Sequence, residues 1–154
     1  MSQLQSRRKY STRTDSGEYV RTDTLPFAIL QHVIAGKGSL HQDDFAAYCL
    51  TLCGTQDHSN VTVGRMLTKG LIQRRVVMMN KNAVDVALPG LAKRFHAGWM
   101  ERSEFVATMD ELMAKSSKWD RTVTMLALFR SGGLERRVTV TAAGVQHYKR
   151  ATGQ

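Results

Sequence analysis

Apolar residues along the chain fall into short runs whose spacing changes from segment to segment. Leu25, Ile29, Leu30, Val33 and Ile34 recur at helical intervals, which predicts a helix opening at Asp23 or Thr24. Pro26 is tolerated in its first turn, and Gly36-Lys37-Gly38 ends it. A second stripe, Phe45, Ala46, Cys49, Leu50 and Cys53, predicts another helix, stopped by Gly54. Its start reads as a capping box in Ser39-Leu40-His41-Gln42. A third helix is predicted from Ser59 or Asn60, both good N-caps, with Val63, Met66 and Leu67 inward and Gly70 at its end.

Beyond Gly70 the pattern becomes β-like. Leu71 to Met79 and Ala83 to Ala87 flank Asn80-Lys81-Asn82, and since Asn tolerates positive φ this break reads as a hairpin turn. Leu88-Pro89-Gly90 punctuates the chain before a short helix reaching about Ala97. Residues 103–117 predict an amphipathic helix capped by Ser103, with Phe105, Val106, Met109, Leu112 and Met113 on one face. A helix from about Trp119 to Arg130 carries Val123, Leu126 and Phe129, and Gly132-Gly133 breaks it. Leu134 to Val140 alternates as a strand, and Thr141 caps a last helix from Ala142 to Arg150.

Charge changes the picture more than composition does. The 154 residues hold 22 Lys+Arg against 13 Asp+Glu, a formal charge of +9. The excess is uneven. Arg7, Arg8, Lys9, Arg13 and Arg21 dominate residues 1–22, a stretch without apolar period that reads as a flexible basic arm. Arg65, Lys69, Arg74, Arg75, Lys81, Lys93 and Arg94 dominate residues 56–100, whereas 101–120 is net acidic. Clustered cations of this kind concentrate a polyanion such as nucleic acid. No apolar run nears the ~20 residues of a membrane-spanning helix, so no membrane association is expected. The N-terminal residues hold no apolar segment of signal-peptide type, and two cysteines do not build a disulfide scaffold. The expectation is a cytoplasmic protein.

Three short helices leading into a hairpin is the order of a winged helix-turn-helix module, and the residues themselves resemble that superfamily. Ser59 to Arg75 (SNVTVGRMLTKGLIQRR) is similar to the recognition helix of bacterial MarR-like regulators running into the first wing strand. The helix-ending Gly70, then Leu71-Ile72, then Arg74 carry the likeness. It covers about residues 24–98. One departure is that Ala87-Leu88-Pro89-Gly90 stands where many relatives start a helix with Thr-x-x-Gly. The C-terminal part echoes the same signals in Gly133-Leu134-Glu135-Arg136-Arg137 and Thr141-Ala142-Ala143-Gly144. Residues 99–154 are read as a helical extension or dimerisation region with a small β element. The alternative is a second, shortened winged helix, a diverged repeat of the first.

The expected fold is therefore α+β, a mostly helical winged helix-turn-helix over 23–98 with that extension. A helix presented to the major groove meets base edges first near its N-terminus, which nominates Ser59, Asn60 and Thr62, with Arg65 one turn on. Asn is suited to adenine and Arg to guanine. Lys69, Arg74, Arg75 and Lys81 are suited to phosphates, where a cation needs only to approach. Cys49 and Cys53 lie on an apolar stripe and read as buried thiols. The five histidines form no zinc spacing, Gly36-Lys37-Gly38-Ser39 lacks the rest of a P-loop, and no catalytic constellation is visible. No metal, cofactor or enzymatic activity is expected. The functional expectation is a sequence-specific DNA-binding transcriptional regulator of bacterial, plasmid or phage origin, a homodimer on double-stranded DNA, such as a repressor. The alternative is a winged-helix protein-interaction module, for example a phage-encoded inhibitor of a host complex.

Overall fold

The computed structural model describes residues 21–153. The proposed basic arm, apart from its last two residues, lies outside them. The described chain is α+β. It runs α1 (Leu25–Ala35), β1 (Ser39–His41), α2 (Gln42–Cys53), α3 (Gln56–Thr68), β2 (Ile72–Met78) and α4 (Lys81–Ala87). A 3-10 turn (Ala92–Arg94), β3 (Trp99–Glu101), α5 (Arg102–Leu112), α6 (Lys118–Arg130), β4 (Leu134–Val140) and α7 (Ala142–Ala151) follow. The four strands form one small antiparallel sheet in the order β1-β4-β2-β3. β2 and β3 pair antiparallel with Arg75 opposite Glu101 and Val76 opposite Met100.

The described residues divide into two compact units, one of residues 21–73 and 138–153, the other of 74–137. In the first, α1, α2 and α3 pack together and bury Ile29, Leu30, Val33, Phe45, Cys49 and Met66. Thr24 caps α1, accepting from the Phe27 amide, and Pro26 sits in the first turn as expected. Gly54 and Thr55 make the turn between α2 and α3, and the Thr55 hydroxyl accepts from the His58 amide. Gly70 takes φ +72, the left-handed region expected of a helix-ending glycine. α7 closes the unit. Phe27 and Tyr148 stack 5.4 Å apart, the Thr141 hydroxyl donates to the Gly70 carbonyl, and a Cβ at Gly144 would collide with the carbonyl of Leu71.

The second unit repeats this order. α4, the 3-10 turn, β3, α5 and α6 bury Val76, Val84, Leu91, Phe105, Met109 and Leu128. Local details recur too. Lys37-Gly38 (φ 64 and 82) before β1 match Ala97-Gly98 (φ 55 and 81) before β3. His41 caps α2 through its side chain as Glu101 caps α5, and Thr55 caps α3 as Ser117 caps α6. Buried Phe45, Cys49 and Cys53 correspond to buried Phe105, Met109 and Met113. Residues 25–78 and 81–140 thus each run helix, short strand, helix, tight turn, helix, strand, and the α+β whole is compatible with a winged helix.

Several expectations are corrected. Asn80-Lys81-Asn82 is not a hairpin turn: Asn80 caps α4, its Oδ1 accepting from the Ala83 amide, and 83–87 is helical. Ser39 does not cap α2, because residues 39–41 form β1 and His41 Nδ1 accepts from the Asp43 amide at 3.1 Å. α3 begins at Gln56, earlier than expected. The helix expected over 103–117 ends at Leu112. Val106, Val123 and Leu126, expected inward, are 47%, 46% and 43% exposed. The strand Leu134–Val140 and the helix capped by Thr141 form where the sequence placed them.

Candidate nucleic-acid interface

α3 sorts its residues cleanly. Ser59, Thr62, Val63 and Met66 are buried, and Asn60, Val61, Gly64, Arg65, Thr68 and Lys69 are exposed. Burial of Val63 and Met66 anchors the helix, and 3.6-residue periodicity then fixes what faces out. Two of the nominated base-reading residues therefore point inward. Ser59 is 4% and Thr62 8% exposed, and the Thr62 hydroxyl is spent on the His58 carbonyl at 2.9 Å. Their spacing from Val63 and Met66, one turn back, was the signal for this.

Of the nominated residues on and just past α3, Asn60, Arg65 and Lys69 are exposed, with Asn60 and Arg65 on opposite flanks of the outermost line Asp57, Val61, Gly64 and Thr68. Asn60 is held across one turn: Gln56 Nε2 donates to its Oδ1 at 2.8 Å. An amide oxygen has a second lone pair and its nitrogen two donors, so the paired bonds that adenine offers remain available to a side chain already fixed in place. The outer surface is not purely cationic. Asp57 lies in the first turn of α3, and Asp43 and Asp44 open α2.

The other nominated cations belong to the second unit. Arg74 and Arg75 lie on β2, and Lys81 is the first residue of α4. The Arg75 guanidinium lies 3.6 Å over the Trp99 ring. The ring contact places the charge against an aromatic face, and partial burial lowers the guanidinium pKa. Arg74 is the more telling. The β2–β3 register places Arg75 opposite Glu101, and one step further the same ladder brings Arg74 towards Arg102. Arg102 is the first residue of α5, just past β3, and its charge opposes that of Arg74. The Arg74 guanidinium is held below its usual pKa first by burial and then by the Arg102 charge, and its Nε is buried with no hydrogen-bond partner. Arg102 was not foreseen, because its place beside Arg74 follows from strand register rather than from any local motif. Guanidinium groups have the charge and the donors to hold a phosphate oxygen.

Cys49 and Cys53 are buried, as expected, and no disulfide joins them. Burial, and then the neighbouring Cys53, push the Cys49 thiol up to about 12, so it stays protonated and unreactive. No cluster of three or more His, Cys, Asp or Glu arranged for a metal ion occurs among the described residues. No helix among them is long and apolar enough to cross a membrane.

No protein-family model matches the chain, and no curated protein or solved structure is similar to it at a significant level.

Proposed function

We propose that this chain is a sequence-specific DNA-binding transcriptional regulator of bacterial, plasmid or phage origin, built on a winged-helix plan, with α3 as its reading helix. The observation that carries the reading is the exposure of Asn60 and Arg65 on the two flanks of the solvent side of α3, with Lys69 at its end, while the buried side of the helix is locked into a core. A helix fits the B-DNA major groove, and a rigid scaffold makes base-edge contacts specific. Asn60, fixed by Gln56, serves as the adenine reader and Arg65 as the guanine reader. Lys69, Arg74, Arg75, Lys81 and Arg102 serve phosphates. Roughly five such neutralisations give log K a slope near −4 to −5 against log salt. One helix reads only a few base pairs, so a homodimer on a two-fold site completes the proposal. Occupancy of the site then blocks or recruits polymerase.

A protein-interaction module is the second reading. It is favoured by the apolar exposed side of α6 and the acidic residues Glu104, Asp110 and Glu111 of α5. Selection from a pool of random duplexes separates the two. A regulator enriches a defined motif, and Asn60→Ala with Arg65→Ala loses it. A module that binds only protein enriches nothing above the input pool and binds duplex at about 10⁻⁴–10⁻⁶ M regardless of sequence.

A further inference from the structure

The outer side of α6 differs in kind from that of α3. Trp119, Val123 and Leu126 are 73%, 46% and 43% exposed, and the exposed Arg130 ends the helix. These four residues are spaced four, three and four apart, the rhythm of a coiled-coil seam. The matching positions of α3, Asp57, Val61, Gly64 and Thr68, keep only one apolar side chain. The two repeats have therefore diverged on this one side.

We propose that α6 is a self-association surface, on which a second copy of this chain lays its own α6 in antiparallel orientation. The pattern is self-complementary about a two-fold axis passing between Thr124 and Met125. Val123 then meets Leu126 of the second copy, which are the mixed layers an antiparallel pair requires, and Trp119 meets Arg130 of the second copy. A guanidinium over an indole is the most favourable cation–π pairing. Both ends of the seam are satisfied at once, and the opposed helix dipoles add a small attraction. A parallel pair would set Trp119 on Trp119 and Arg130 on Arg130, which repel. α6 is already ordered by the burial of Leu128 and by Phe129, whose ring meets Phe105 at 5.9 Å, so pairing carries little folding cost. Residues 103–117, also within the expected dimerisation region, present Glu104, Asp110 and Glu111 outward instead, and Asp110 and Glu111 are engaged by Arg121 and Arg94. The seam is short, so the pair belongs to the weak, reversible class of interfaces. This inference deepens the homodimer in the reading above and rests on it, but not on base recognition by α3.

Sedimentation equilibrium of the full chain, without DNA, tests it. The apparent mass rises from 17.2 kDa towards twice that value as the concentration enters the range of about 10–100 µM. Val123→Lys and Leu126→Lys, both at exposed sites and so compatible with folding, hold it at 17.2 kDa. For register, a Val123→Cys chain is mixed with a size-tagged Leu126→Cys chain under glutathione disulfide. The mixed cross-link is expected to exceed either self cross-link several-fold. A wild-type chain that stays monomeric overturns both the seam and the homodimer. A dimer indifferent to the lysine variants, or cross-links of equal yield, overturns the seam and leaves the homodimer standing. Neither result touches the duplex selection, which reports on α3 alone.

Discussion

Lys37 and Ala97 hold the same left-handed backbone, φ 64 and 55, one residue before a glycine and two before a strand in each half of a repeated pattern. A non-glycine residue there costs roughly 1–2 kcal/mol, and the chain bears that cost twice. The turn geometry is thus set by how each short strand must leave its preceding helix or turn, not by local preference. Ala97→Gly is expected to raise stability by about 0.5–1 kcal/mol, the relief being partly offset by greater freedom of the unfolded chain. Ala97→Val should lower it by at least as much. Chemical denaturation followed by circular dichroism checks both.

Arg74 and Arg102 make the second prediction. Arg102→Gln removes the like charge that bears on Arg74, so stability should rise by about 0.3 kcal/mol. Affinity for duplex should fall at the same time, and the slope of log K against log salt should shrink by about 1. A variant that gains stability without losing affinity would show that the pair is only a structural tension. Binding titrations at four salt concentrations supply the slope.

Cys49 gives a pH dependence of determined sign. Its thiol ionises near 9 in the unfolded chain and near 12 in the folded one. Below pH 9 both states keep the proton and the group contributes nothing. Between pH 9 and about 12 the unfolded chain releases a proton that the folded chain retains, so stability falls as pH rises, by up to about 1.4 kcal/mol per unit. Cys49→Ala should flatten that part of the profile relative to wild type, at the expense of a small cavity at every pH. Urea unfolding at pH 8, 9, 10 and 11 separates the two effects.

Much of the scaffold was legible because single residues announced it. Thr24 with Pro26, the break at Gly70, and Thr141 ahead of a helical run have few alternative uses. Phe45, Cys49 and Cys53 are buried on the predicted stripe of α2, whereas Ala46 and Leu50 of the same stripe are exposed. The repeat shows in the sequence only as the echo of Gly70-Leu71 in Gly133-Leu134 and as the Thr141-Ala142-Ala143-Gly144 helix start. The latter belongs to the first unit, so the bounds of the second unit are not legible there. The misreadings share a cause. Asn80 is as good a helix cap as a turn former, and the five residues from Ala83 to Ala87 are too few to separate a period of 2 from one of 3.6. β1 and β3 have three residues each, and what makes them strands is the neighbour across the ladder. For the candidate site, Asn60, Arg65 and Lys69 were visible, whereas the inward turn of Ser59 and Thr62 needed the stripe through Val63 and Met66 to be carried one turn back. Arg102 required the strand register.

The most direct test of α3 as the DNA-reading element is a duplex titration of isotope-labelled full chain monitored by amide resonances. The account expects the largest shifts at Asn60, Val61, Gly64, Arg65 and Thr68, fading in Asn60→Ala, with Ser59 and Thr62 side chains still shielded. Shifts confined to other elements, with α3 unmoved at saturating duplex, would contradict it.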